Sequence, residues 1–531
     1  MSRFAIRNWH FIIVACLIIT VIGMVSLVRM PVDLFPAINI PEVVVATFYN
    51  GMPPEEIETE ITGRLERFFT LASGVEHMES RSLPGVSIIK VFFQPGTNAD
   101  ADVTQMSNLA LADLRRLPPG TLPPVVLKFD ASSLPVCLVT LKGEGLTETQ
   151  LHDYGQFQIR NQIAVVPGAT IPPPFGGRYR QIMVYVDPLK LQAYQLGLMD
   201  VVKAINQANL ILPAGDVKIG PYDYYIYTNS QVPNMAALNQ IPLKTVGTKF
   251  ATVADVGKAE DASQIQYNIV RVDGQPSVYL PIMRQGGNTN TIAVVNGIRK
   301  MIEHLYGVPK QLIAKVVFDQ SIFIKKAIET LIHEGAIGLI LTGLMILIFL
   351  GSLRATSAVF LSIPLSALAA FIVLYLGGSS LNTMILAGLA LAFSRLIDNS
   401  VIVLENIYRH MERGASPEAA AAEGAAEGNL AVLAATLTTA VVFFPVTLLY
   451  GVSRYLFSAL ALSVVISLFA SYFVAMTVVP LFCAKLMKGV HHSEDEFNSK
   501  VDSTQMSWWQ RFNASFNRNF KRGLGFYEVL V

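Results

Sequence analysis

Five long uncharged apolar runs, one at the N-terminus and four crowded together after residue 330, leave this chain few ways to fold. Each run is long enough to cross a bilayer, and lipid accepts only backbone whose hydrogen bonds are satisfied internally. The first run extends from Phe11 to Val28 after Arg3 and Arg7. Val28-Arg29-Met30-Pro31 contains no small-x-small cleavage site, so the run reads as an uncleaved helix with a cytoplasmic N-terminus rather than a signal peptide. The others lie between Glu334 and Arg354, Arg354 and Arg395, Glu427 and Arg454, and Arg454 and Lys485. Gly377-Gly378-Ser379-Ser380 breaks the second of these into a helix near Ala358 to Leu376 and another from Leu381 to about Leu404. Arg354, Arg409, His410, Arg413 and the tail after Lys485 carry the positive charge, which assigns them to the cytoplasmic side. The expected fold is a polytopic α-helical membrane protein with six transmembrane helices and about 300 extracytoplasmic residues after the first.

Composition agrees with this and closes off other functions. Apolar residues make up 52% of the chain and charged ones 15%, with a mean hydropathy of +0.45. A net charge of +1 provides no field to hold nucleic acid, so no nucleic-acid partner is expected. Cys16, Cys137 and Cys483 lie far apart and offer neither a disulfide framework nor a CxxC site. Without a G-x-x-x-x-G-K-[ST] loop there is no phosphate cradle, and HExxH and GxSxG are absent too. The histidines have no ligand spacing beyond the adjacent His491-His492, and the methionines are scattered as packing residues. No metal site, no cofactor and no enzyme activity are expected.

Within the extracytoplasmic stretch the pattern repeats. Strands at Val43 to Phe48, Val75 to Ser82, Val86 to Phe93 and Pro123 to Phe129, with helices opening at Pro53-Pro54-Glu55-Glu56 and running from Asn98 to Leu117, spell βαββαβ, a split ferredoxin-like module. A second copy begins at Leu134, with a strand through Leu141, a helix from Thr147 to Val165 and a strand near Ala169 to Phe175. It resumes at Ser277 to Met283, Asn290 to Leu305 and Ala314 to Phe318. The stretch from Gln181 to Val272 then reads as an inserted domain. Its loop Ile211-Leu212-Pro213-Ala214-Gly215 suits either an arm reaching a neighbouring subunit or a mobile surface loop. After the spans, Trp508, Phe512, Phe516 and Phe520 recur among Arg511, Arg518, Lys521 and Arg522, as in a helix lying on the membrane surface or packed on a further domain.

Chemistry concentrates in the fourth membrane helix, which carries Arg395, Asp398 and Asn399. Each charge there costs about 2.5 to 3.5 kcal/mol on insertion scales, a cost usually tied to function. A carboxyl group at that depth can alternate between protonated and ionised forms, which is what a proton carrier requires. A permanent pair with Arg395, three residues earlier and unable to shed its proton, would instead hold Asp398 ionised. Glu405 falls near the cytoplasmic end, where it is either part of a proton path or merely solvated.

At this helix the chain resembles the resistance-nodulation-division (RND) permeases, proton-driven exporters of Gram-negative inner membranes. The resemblance is carried by Pro31-Val-Asp-Leu-Phe-Pro, Gly51-Met-Pro-Pro-Glu-Glu-Ile-Glu, Asp187-Pro188 with Leu198-Met-Asp-Val-Val, and Leu396-Ile-Asp-Asn-Ser-Val-Ile-Val-Leu-Glu-Asn. It implies residues 1–29 as the first span, 30–133 as one porter subdomain, and 134–180 with 273–329 as a second. Residues 181–272 would be an inserted docking subdomain with its arm, 330–486 spans two to six, and 487–531 a cytoplasmic linker. A homotrimer, a periplasmic adaptor and an outer-membrane channel are implied partners, with small hydrophobic or amphiphilic compounds as substrates. Asp398 falls on the first of the family's paired proton-relay aspartates, and Asn399 on the second, so this chain keeps one carboxylate. Phe175 falls on a drug-pocket phenylalanine, and the other pocket position lands near Leu134. Arg395 replaces the small or apolar residue usual at its position. Family members carry two such halves, whereas this sequence stops at Val531, so a C-terminal half is expected in the same or another chain. The competing function is a non-transporting membrane receptor or assembly subunit, or an inactive half.

Overall fold

The computed structural model describes residues 1–38, 41–94, 96–129, 134–246, 249–266, 268–285, 289–350 and 353–487. His491-His492 and the aromatic stretch from Trp508 to Phe520 lie outside them. The described residues form two compact units, one made of Met1–Leu134, Arg284–Val295 and the chain from Asp319 onward, the other of Pro135–Met283 and Asn296–Phe318.

Six helices of the first unit are long and apolar enough to cross a membrane: Trp9–Arg29, Gln320–Ile348, Thr356–Leu376, Thr383–Glu412, Pro417–Val446 and Gly451–Leu486. Their number matches the expectation, but several outrun the uncharged runs that marked them. The second begins at Gln320 and includes Lys325, Lys326, Glu329 and Glu334, so about 20 Å of it precedes the apolar run. Charge marks where lipid ends, whereas an α-helix continues wherever its backbone bonds remain satisfied and no breaker intervenes. The buried faces of the fourth, fifth and sixth spans meet in one core that includes Val403, Leu404, Ile407, Ala421, Ala425, Tyr472, Ala475 and Val479.

The first sheet, in the same unit, runs Val75–Leu83, Val86–Phe93, Glu42–Phe48, Val125–Phe129, antiparallel throughout. Alternation in Val86–Phe93 turns Ser87, Ile89, Val91 and Phe93 inward. Ile89, Val91 and Phe93 meet Ile57, Ile61, Leu65 and Phe69 of the first helical segment and Met106 and Ala110 of the second. Each of the larger apolar side chains contributes about 1.5 to 3 kcal/mol of burial. Asn98 caps the second helix by accepting from the backbone of Asp100 and Ala101.

In the second unit the sheet order is Leu312–Val317, Cys137–Gly143, Val278–Arg284, Ala169–Thr170, with Phe175–Gly176 also pairing the third of these. The strand expected near Ala169 to Phe175 is therefore two short pieces. Pro172, Pro173 and Pro174 between them have no N–H to give a ladder. Strands Arg180–Val186 and Gly257–Ser263 pair along their whole length, near the two ends of residues 181–272. Its small core joins Leu238, Ile241, Val253 and Ala259 to Val184 and Ile205. The apolar loop at Ile211 is a correction to the sequence reading: Ile211–Ile219 and Tyr222–Asn229 form a two-stranded hairpin, exposed along both strands. Gly220, at φ +60°, supplies its turn. Ala214 bulges out between Pro213 and Gly215, because neither neighbour sustains a regular strand.

Candidate functional site

The fourth span, Thr383–Glu412, starts under tight control: the Asn382 side chain accepts from the backbone N–H of Met384 at 3.1 Å and Ile385 at 3.0 Å. Leu386, Leu389, Ala392, Leu396, Val403 and Leu404 are buried. On another face Leu391, Arg395, Asp398, Ile402 and Glu405 are all exposed, at spacings of three and four that stack them into one stripe. Glu405 thus lies about 10 Å along the axis from Asp398, on the same side. Among the described residues no ion pair joins Arg395 to Asp398.

Consecutive helical positions diverge by about 100°, and here that separates the two sequence candidates. Asp398 faces out, whereas Asn399 is only 6% exposed. The Asn399 amide donates to Ser471 Oγ at 3.4 Å, and Ser471 in turn donates to the Leu396 carbonyl at 2.9 Å. Ser400 and Ser362 share a hydrogen bond at 2.9 Å on the same inner side. A neutral amide suits this neighbourhood, because a carboxylate there would need a compensating charge. The sequence placed Asp398 and Asn399 together; the packing gives them different surroundings.

The two substrate-pocket candidates belong to different units. Leu134 is half exposed in the first. In the second, Phe175 is also half exposed and stacks on Tyr279, with ring centroids 5.5 Å apart and planes within 11° of parallel. Gly176 and Gly177 behind it, at φ +83° and +69°, allow the turn. A Cβ on Gly176 would lie 2.8 Å from the Ser277 carbonyl.

Sequence reasoning missed a polar cavity of about 1220 Å³ in the second unit, lined among others by Glu148, Asp153, Arg178, Arg180, Asp261 and Gln266. Arg180 forks onto Asp261, Nε to Oδ1 at 3.0 Å and Nη2 to Oδ2 at 2.6 Å. The pair raises the guanidinium and holds the carboxyl below its ordinary range. No local signal announces a pair 81 residues apart.

In the helix Glu148–Asp153, several of whose residues line that cavity, His152 is buried, 2% exposed, with its ring 4.0 Å from that of Tyr179. Neither ring nitrogen has a hydrogen-bond partner among the described residues. Burial pushes the imidazole down, against a smaller opposing pull from Asp153. Because the folded state then binds this proton less readily than the unfolded chain, stability is complete above about pH 6.5 and falls as pH drops through that value. His152→Gln is expected to narrow the fall in thermal midpoint of the intact protein between pH 7.5 and pH 5.5. Equal falls in variant and wild type would contradict the assignment.

The whole chain, residues 1–531, matches the AcrB/AcrD/AcrF family. Among curated relatives, the multidrug resistance protein MdtC of Pectobacterium carotovorum is 27% identical over 476 residues, 89% of this chain and 46% of that protein. MdtC of Yersinia enterocolitica is 28% identical over 475 residues, again 89% and 46%, and MdtC of Yersinia pestis is 28% identical over 476 residues with the same coverage. The chain spans about half the length of these relatives. It is a membrane protein with six candidate spans, and it belongs to the AcrB/AcrD/AcrF family, the RND permeases that its fourth span resembles.

Proposed function

We propose that this chain is the N-terminal half of a proton-driven RND exporter that exchanges hydrophobic or amphiphilic compounds for protons across the inner membrane. The observation that carries the reading is the exposed stripe of the fourth span, where Arg395 and Asp398 stand side by side in an apolar helix. Left against lipid, two such charges would cost about 5 kcal/mol or more together. A second membrane half, in the same or another chain, covers that stripe, supplies the countercharge and closes a protected path to Asp398. Proton binding at Asp398 then biases the packing of the fourth span, and a charge moving through 100 mV delivers about 2.3 kcal/mol to that bias.

The two sheets share the strand order fourth, first, third, second, which supports reading both as ferredoxin-like porter subdomains, at 30–133 and at 134–180 with 273–329. The stretch 181–272 is the docking subdomain. Its exposed hairpin, rich in tyrosines, is the arm that enters the adjacent subunit of a homotrimer, since an isolated two-stranded hairpin is marginal alone. Phe175 and Leu134 contact substrate. A periplasmic adaptor and an outer-membrane channel complete the route, the N-terminus is cytoplasmic, and the drive is the proton gradient without a cofactor.

The test uses the full-length protein in liposomes carrying a pH gradient. Adding a transported dye is expected to accelerate proton movement. Dye binding without any change in proton movement would remove the reading and favour a non-transporting receptor.

A further inference from the structure

Just after the first span, Pro31 to Leu34 is bonded to the start of the fourth. Leu381 N donates to the Pro31 carbonyl at 2.7 Å, Asp33 N donates to the Leu381 carbonyl at 3.1 Å, and the Thr383 hydroxyl donates to the Leu34 carbonyl at 2.6 Å. Hydrogen bonds between segments about 350 residues apart make Pro31 to Leu34, just beyond one span, a rigid extension of the other.

One carboxylate fastens two further residues onto this graft. Asp33 is 7% exposed. Its Oδ2 accepts from Arg284 Nη2 at 2.8 Å, and its Oδ1 accepts from the Leu34 backbone at 2.8 Å and from the Thr291 hydroxyl at 3.4 Å. Thr291 N also donates to the Val32 carbonyl at 2.9 Å. The Arg284 side chain is itself only 17% exposed. Arg284 ends strand Val278–Arg284 and Thr291 opens helix Thr291–Glu303, so the two fastened residues are the last of a long strand of the second sheet and the first of the next helix.

A buried ion pair is a poor device for stability alone, since well-packed apolar residues of similar volume commonly do as well. It is a good device for fixing one geometry, because a guanidinium and a carboxylate lose most of their attraction when displaced. We infer that Asp33 and Arg284 are positioning residues that couple displacement of the fourth span to Arg284 and Thr291, so that proton binding in the membrane is converted into movement of the substrate-handling region. The inference rests on the transport reading above and adds to it the part that connects proton to substrate. Asp33 touches neither.

The experiment measures dye export and dye-linked proton movement together in liposomes of the full-length permease, for wild type, Asp33→Asn, Arg284→Gln and the double variant. Dye export is expected to fall about tenfold in each single variant, with proton movement staying within about twofold, and the double variant to be no worse than either single one because the pair acts as a unit. A structural role alone would lower both signals with the amount of folded protein and leave their ratio unchanged. Normal export in either folded single variant, a parallel fall of both signals, or failure of both single variants to fold would each overturn the inference. If wild type itself moves no protons with dye, the transport reading fails first, a result distinct from a wild type that couples and an Asp33→Asn variant that couples equally well.

Discussion

Replacing Asp398 by alanine in the full-length permease is expected to abolish proton-linked efflux, lowering dye export by about a hundredfold or more, with little change in the amount of protein in the membrane. The size of the effect follows from the lack of a substitute. Asn399 cannot titrate and is occupied by Ser471 on the inner side of the helix. Arg395 is permanently charged and cannot pass a proton on. Glu405 shares the exposed stripe, but about 10 Å further along the axis, too far to replace a group that must meet the same partner. Because Asp398 is exposed in this half, alanine there leaves no hole in the core described above. Asn399→Ala supplies the contrast: it removes one hydrogen bond at about 1 kcal/mol and no protonation step, so export should persist while thermal stability drops slightly. Wild-type efflux by Asp398→Ala at normal expression would remove the relay role, and comparable losses in the two variants would show that packing is what matters on this helix.

The residues differ in how openly the sequence displays such roles. Six spans were legible because lipid imposes a rule that a run of apolar residues either meets or fails. Strands and helices of the two sheets were legible because alternation in stretches such as Val86–Phe93 and capping residues such as Asn98 are local signals. Helix ends beyond the bilayer were not, since Gln320 to Glu334 reads as ordinary polar helix that only the continuous backbone joins to the span. The hairpin Ile211–Asn229 was misread because Pro213 and Gly215 look like loop residues, although Tyr222 to Tyr227 is rich in residues that favour strands. At the candidate site, the charges in the fourth span identified themselves by their cost, but which of Asp398 and Asn399 turns inward depends on the neighbours of the helix. The Asp33, Arg284 and Thr291 cluster gave no signal at all, since it joins positions 251 and 258 residues apart in sequence.

The packing that turns Asn399 inward depends on how closely the fourth and sixth spans approach, and Gly388 sets that distance. A Cβ at Gly388 would press into Ser463 Oγ and lie 2.6 Å from the backbone carbonyl of Leu460. A side chain can rotate away, but a helix carbonyl moves only with its helix. Alanine brings two opposed effects: its helix propensity favours it over glycine by about 1 kcal/mol, whereas overpacking at a close backbone contact costs about 1 to 3 kcal/mol. The steric term wins because the obstructing atom is backbone, and the sixth span presents buried Ser463, Ser467 and Ser471 along this stretch. Gly388→Ala is therefore expected to destabilise the intact protein by up to about 2 kcal/mol, seen as a lower thermal midpoint, and Gly388→Val by more. Adding Ser463→Gly clears the side-chain collision and leaves the Leu460 carbonyl in place, so it should recover less than half of the loss. Full recovery would show that only the serine obstructs, and an unchanged midpoint in Gly388→Ala would show that the two spans separate freely at this level.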